Sequence, residues 1–507
     1  MTDPLHGFDM IVALTQNAVN AQLNSMSRIG ALDPDKAFFP AQVDWDTDNG
    51  TVQAKLGVPS VDFVQNNSNY QEATFILPLI SGTLTTYTVD HSTKPPSVKT
   101  RETDIKDWQV AFSVDLSKLA FDAKARDKAA SEGSLATAAH KKLEPLSDAL
   151  FDVSALILDF SKADIAAFDP THTRLPGLTG PETTVLATAL TVYFQQERDK
   201  PFIMSVNAQS RNPANTASQV APTLVPTGVS YTVYGNASTA GYSGPPNGLS
   251  TLNMLVSTDG HAAPPAKPNG ILSAPLVTDN LHSGNLLITR ASLVDNFLLK
   301  QLGQHLGARF ATAGSPTKLT STSTGPGVDF HKKGTFKSPG TVKTTGSTTI
   351  TITATLSQKL PEITFSGTIA TEATFSITFI WNGTWKTWRN IDFTGKMTLS
   401  AGHDPHTMAA HFQPFSFGAP YRPRSDSKNT GAKVDQVITL GQIDSLVDNL
   451  LKGITSSLQG AEKNILNADQ AAVPTLFVPP TGDGYSVTPA HFDANGDFVI
   501  ALDIETA

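Results

Sequence analysis

A chain of 507 residues with 39% hydrophobic and only 16% charged residues, a formal net charge of −8 and no cysteine has length for roughly two to four domains with unstapled cores. The missing cysteine excludes disulfides, thiolate metal sites and cysteine nucleophiles, and the acidic balance excludes a nucleic-acid binder, which needs a basic face. Thr, Ser, Asn and Gln fill the deficit in charge, which suits strands with an uncharged polar face and not a disordered chain.

The first residues, Met1 to His6, carry neither a basic n-region nor an apolar h-region, and no run approaches the ~18 apolar residues of a spanning helix. The expectation is a chain without a transmembrane segment, cytoplasmic or released without a Sec signal peptide. A short apolar run, Met10 to Leu14, leads into a helix over 15–29 that Thr15 caps and whose buried stripe is Val19, Leu23 and Met26. Residues 108–115 and 227–234 read as strands. Between them Gly180-Pro181-Glu182 opens a second helix, with the stripe Leu186, Ala189, Leu190, Tyr193 and Phe194. Asp46-Thr47-Asp48-Asn49-Gly50 reads as a turn between strands.

Gly244-Pro245-Pro246 and Ala263-Pro264-Pro265 then interrupt the pattern, and the domain boundary is placed near residue 270. Beyond it the opening phrase recurs. Leu286-Leu287-Ile288 precedes a helix over 292–306 carrying Val294, Phe297, Leu298 and Leu302. Val437-Ile438 precedes a helix over 441–458 carrying Ile443, Leu446, Val447, Leu450 and Ile454. Such wide spacing indicates duplicated modules rather than a short-period solenoid. Residues 315–346 read as a mobile loop or a long hairpin. Within them Lys332, Lys333, Lys337 and Lys343 form a local basic stretch, either a solvated hairpin or a contact for an anionic membrane or partner. Ile350, Ile352, Ala354 and Leu356 alternate with threonines, and Phe375, Ile377, Phe379 and Trp381 continue the period of two. Asn382-Gly383 is expected as the two-residue turn that returns the chain through Trp385. Trp381, Trp385 and Trp388 cluster around it, as hairpin packing or as an aromatic tip for a membrane interface or a sugar.

Several phrases carry a family resemblance. Gly7-Phe8-Asp9-Met10-Ile11-Val12-Ala13-Leu14, Leu77-Pro78-Leu79-Ile80-Ser81-Gly82-Thr83, Trp108 to Leu116, Leu156-Ile157-Leu158-Asp159-Phe160, Leu252-Asn253-Met254-Leu255 and Gly284 to Arg290 resemble, in order along the chain, the forty-seven-kilodalton accessory proteins of botulinum-type neurotoxin gene clusters. That family is similar to the tubular lipid-binding (TULIP) superfamily, in which a curved antiparallel sheet wraps a long helix and leaves an apolar groove. The resemblance implies binding of a lipid or other apolar ligand, and partners encoded nearby. It transfers no active-site residue.

Catalytic and metal signatures are thin. His403, His406 and His411 with Asp404 could ligate zinc, but His-x-x-His around a proline does not place both rings on one helix face, so incidental loop histidines are the favoured reading. Asp493-Ala494-Asn495-Gly496-Asp497 lacks the glycine and glutamate of a calcium loop and reads as a turn. No G-x-S-x-G elbow, Walker loop or H-E-x-x-H is present. The reading is a β-rich α+β protein of two TULIP-like modules, 1–270 and 271–507, each a curved antiparallel sheet around long amphipathic helices. It is expected to be non-enzymatic and to need no cofactor or metal. Val19, Leu23, Met26, Val294, Phe297 and Leu298 are the expected contacts for an apolar ligand. The alternatives are a closed-core interaction or chaperone subunit and a β-rich toxin component touching membranes peripherally.

Overall fold

A computed structural model describes residues 7–32, 39–63, 71–92, 94–144, 148, 151–163, 165, 167–196, 202–210, 224, 226–235, 249–258, 276–278, 281–298, 310–312, 318–323, 330–332, 341–357, 360–378, 382–401, 408–419, 477–482, 485–487 and 490–504. The expected β-rich antiparallel class holds. Among the described residues three antiparallel sheets contain nine, seven and seven strands.

The N-terminal sheet runs in the order Gln42–Thr47, Gly50–Leu56, Glu72–Asp90, Trp108–Ala120, Phe151–Asp159, Phe202–Ser210 and Phe477–Val478. The long Glu72–Asp90 strand changes partner along its length. Glu72 to Leu79 pairs with 108–115, whereas Thr83 to Asp90 pairs with Ser97–Asp104. The inward side chains change parity at the same place: Ala73, Phe75, Leu77 and Leu79 are buried, and then Leu84 and Thr86. A bulge accounts for this, since Lys55 pairs with Ser81 but Leu56 with Leu79, which leaves Ile80 unpaired there. Gly82 completes the bend at φ +148°, where a Cβ would lie 2.0 Å from the Gln53 carbonyl oxygen.

The C-terminal sheet is a meander of long strands, Thr341–Leu356, Glu362–Thr378, Asn382–Ala401 and Met408–Phe417, edged by Lys318–Ser323 and Phe310–Thr312. Residues 350–356 lie in the Thr341–Leu356 strand, as expected. The turn expectation is corrected. Thr378 pairs with Asn382 and Ile377 with Gly383, so Asn382-Gly383 opens the returning strand, and the connection is three residues long at 379–381. Parts of 315–346 are also strands, with His331 opposite Lys343.

The third sheet lies centrally and takes strands from both ends of the chain: Pro226–Tyr234, Thr251–Thr258, Met10–Thr15, Gly284–Ile288, Phe498–Ile504 and Tyr485–Val487. Two of the repeated phrases are neighbours here. Met10–Thr15 pairs antiparallel with Gly284–Ile288, and Val12 sits opposite Leu286 at the centre of a local twofold relationship. The Met10–Thr15 and Thr251–Thr258 strands are buried at every position, as expected for strands covered on both faces. Met10, Val12, Leu14, Met254 and Phe498 join Phe75 and Phe112 of the N-terminal sheet and Phe365, Phe393 and Phe415 of the C-terminal sheet in one continuous core.

Both repeated phrases continue into helices. Gln16–Leu32 is capped as expected, with the Ala18 N–H donating to Thr15 Oγ1 at 3.2 Å. Ala291–Leu298 is a helix of wide π-type turns. The helix expected over 441–458 lies outside the described residues.

Candidate functional site

The concave face of the N-terminal sheet is the strongest candidate for a ligand region. Its floor is made by alternate residues of adjacent strands, Phe75, Phe112, Leu116, Leu158 and Phe202, all buried. The helix Gly180–Gln196 closes it with Leu186, Leu190, Tyr193 and Phe194. Aromatic rings dominate the contact. Phe160 stacks on Phe194 with centroids 4.4 Å apart, and Phe75 meets Phe160, Phe194 and Phe202 edge-on at 5.1, 5.7 and 5.6 Å. Edge-to-face packing sets the weakly positive ring edge against the negative face, adding about 0.5–1.5 kcal/mol per pair to burial.

The start of this helix is fixed by Glu182, the acidic residue of its first turn. Glu182 is buried, and its carboxylate accepts the Thr179 N–H at 2.8 Å, which is the returning half of a capping box. The Thr179 and Thr103 hydroxyls donate to the same carboxylate, and Arg101 lies 3.4 Å away. Burial raises the Glu182 pKa, but these hydrogen bonds and the Arg101 charge outweigh it and hold the carboxyl below the ordinary glutamate value. The first helix, capped by Thr15, is tied to a strand by amide side chains. Asn20 pairs with both backbone groups of Val61, at 2.9 and 2.8 Å, and Gln16 accepts the Phe63 N–H at 2.8 Å, satisfying an otherwise open strand edge.

At one end the concave face turns polar. The rows Lys118–Leu156–Ser205, Ala120–Ser154–Asn207 and Asp152–Gln209 follow the apolar row Leu116–Leu158–Phe202. Tyr231 of the central sheet closes over them, hydrogen-bonded to the Asn207 amide. Burial pushes its phenol well above the ordinary range. Asn207 Oδ1 is buried there without a hydrogen-bond partner among the described residues. Lys118 is exposed at the rim. Its amine reaches Gln209 Oε1 at 3.3 Å and the Val229 carbonyl at 3.4 Å. Desolvation lowers its pKa, partly countered by the charge of Asp152.

Four of the six predicted contact residues fall in the core. Val19, Leu23 and Val294 are 1%, 1% and 0% exposed and belong to the core shared by all three sheets, and Met26 is equally buried. Phe297 and Leu298 lie in the Ala291–Leu298 helix, but their side chains are outside the described residues. The sequence analysis missed Phe75 and Phe202, for which the signal was alternation along strands it had not delimited. His403, His406 and Trp381 lie outside the described residues. His411, Trp385 and Trp388 lie in strands, opposite Thr398, Phe375 and Glu372. Both Asp-rich phrases are turns: Thr47 pairs with Gly50, and the Asp493 carboxylate accepts the N–H groups of Asn495 and Asp497 at 2.9 Å each.

A separate titratable cluster pins a loop across the sheet. His172 lies 2.9 Å from Asp62 and 3.1 Å from Asp169. Burial raises the Asp169 pKa, while hydrogen bonds from His172 and Thr171 outweigh that and leave it lowered. Among the described residues no group of His, Asp and Glu is arranged to hold a metal ion, and no helix is long and apolar enough to cross a membrane.

No protein-family model matches the chain, and no curated protein matches it by sequence. Among solved structures it is similar to P47 from Clostridium botulinum A2, at 10% identity over 98% of both chains with a TM-score of 0.47. P47 of Clostridium botulinum E1 gives 9% identity over 98% of this chain and 99% of that one, with a TM-score of 0.48. A lipopolysaccharide binding protein is similar at 9% identity over the same shares, with a TM-score of 0.30.

Proposed function

We propose that the chain is a non-enzymatic binder of a lipid or other apolar ligand, held between the concave face of the N-terminal sheet and the helix Gly180–Gln196. The observation that carries this reading is the aromatic layer of Phe75, Phe112, Phe160, Phe194 and Phe202 between them. Burial contributes about 25 cal/mol per Å² of apolar ligand surface, or roughly 0.8 kcal/mol per methylene. A ligand inserted among such rings needs no directional chemistry to stay. The two halves, 1–270 and 271–507, are read as modules joined through the central sheet. Val19, Leu23, Met26, Val294, Phe297 and Leu298 would then extend the apolar lining toward that seam.

The test is native mass spectrometry of the full chain with organic extraction of the same sample. A stoichiometric, extractable lipid is the expected outcome. A bare mass that persists after incubation with lipid overturns the proposal. A second reading, a closed-core subunit of a protein complex, is favoured by one observation: Val19, Leu23 and Val294 are packed into the same core as the sheets.

A further inference from the structure

We propose that the ligand is a single-chain amphiphile with an anionic headgroup, and that Lys118 at the polar end of the concave face receives that headgroup. This rests on the apolar-ligand reading above. The face grades from aromatic rings through Leu116, Leu158 and Phe202 to a first polar row with Lys118 and Ser205, and then to Ser154, Asn207, Asp152 and Gln209. An all-apolar ligand has no use for such a gradient, because each buried hydroxyl or amide left without a partner is unfavourable. Among the described residues Asn207 Oδ1 is such an atom, and it is sealed from solvent.

The Lys118 amine brings a positive charge to the rim, partly offset by Asp152. The hydrogen bonds of the Lys118 amine run to neutral oxygens, those of Gln209 and Val229. An ammonium has three donors, and the contacts at 3.3 and 3.4 Å are long for N–H···O bonds. A carboxylate or phosphate placed there would gain charge-assisted bonds that neither neutral oxygen offers. Partial desolvation of the amine strengthens that attraction relative to a lysine in bulk water.

The experiment compares hexadecanoate, hexadecanol and acetate on the full chain, read by native mass spectrometry in competition, with wild type, Lys118→Met and Lys118→Arg. The acid is expected to outcompete the alcohol by about tenfold or more on the wild type. Lys118→Met should remove that preference, and Lys118→Arg should retain it. A preference that survives Lys118→Met, or is absent from the wild type, overturns the assignment. Acetate binding as tightly as hexadecanoate would make this a free-anion site and overturn the amphiphile. If the wild type takes up neither long-chain compound, the apolar-ligand reading fails and this assignment falls with it. If both are taken up equally, only the headgroup assignment fails.

Discussion

Thr15 and Thr289 are counterparts across the local twofold of the central sheet. The Thr15 N–H donates to the Ser283 carbonyl and the Thr289 N–H to the Asp9 carbonyl, both at 2.9 Å. Each hydroxyl then accepts from the third residue onward, Ala18 N–H at 3.2 Å and Ser292 N–H at 3.1 Å. One threonine thus ends a strand and starts a helix, twice, on two strands that pair with each other. Asp9 strengthens the second corner by accepting the Ser292 hydroxyl and the Thr258 N–H.

Replacing either threonine by valine keeps the shape and removes the capping oxygen. Thr15→Val and Thr289→Val should each destabilise by about 1 kcal/mol. Urea denaturation measures this, and a change below about 0.3 kcal/mol at either position would show that the cap is not what holds that corner.

Gly82→Ala should be more damaging than its size suggests. The added Cβ would meet the Gln53 carbonyl oxygen at 2.0 Å and the Ala54 Cα at 2.8 Å, in a backbone conformation alanine rarely adopts. A loss of about 2 kcal/mol or more is expected. Because the obstacle is backbone, shortening the neighbouring side chain in Gln53→Ala should not rescue it. Thermal denaturation of the single and double variants decides the point.

Phe75 touches Phe112, Phe160, Phe194 and Phe202. Phe75→Ala is expected to lose about 3–5 kcal/mol, and Phe75→Leu clearly less, since it restores part of the volume. Equal losses in a urea titration would mean that ring geometry, not volume, sets the stability of this layer.

Glu182 should give the protein an acid-sensitive element. Its pKa is lowered from 4.5 in the folded chain. Its stabilisation is therefore complete above the unfolded value and is lost as pH falls through the lowered folded value. Asp169 acts with the same sign, from 3.8 downward. Glu182→Gln should destabilise at about pH 6 and differ much less from wild type at about pH 3. Urea midpoints at the two pH values test this, and a difference that stays constant would remove Glu182 as the source.

The sequence by itself determined the local features whose signals lie within a few residues. The Thr15 cap, the helix opening at Gly180, the strands over 108–115 and 227–234, and the turns at 46–50 and 493–497 all follow from periodicity, caps and short-range hydrogen bonding. The repeated phrase was legible too, but not that two of its copies pair side by side, because strand pairing across more than 250 residues leaves no local mark. Asn382-Gly383 shows the limit at short range. Its turn chemistry is genuine, yet the register of the long hairpin, fixed by pairs such as Phe375 with Trp385, places those two residues in the strand. The bulge at Ile80 likewise moves the inward face from Phe75 and Leu79 to Leu84, which a strict period of two misassigns. The candidate site was the least legible part. Stripes such as Val19, Leu23 and Val294 announce burial but not what covers them. The concave face and its polar end arise only when strands as distant as 118, 156 and 205 are brought into one row, since side-chain alternation sets a residue's face and tertiary pairing alone decides its neighbours.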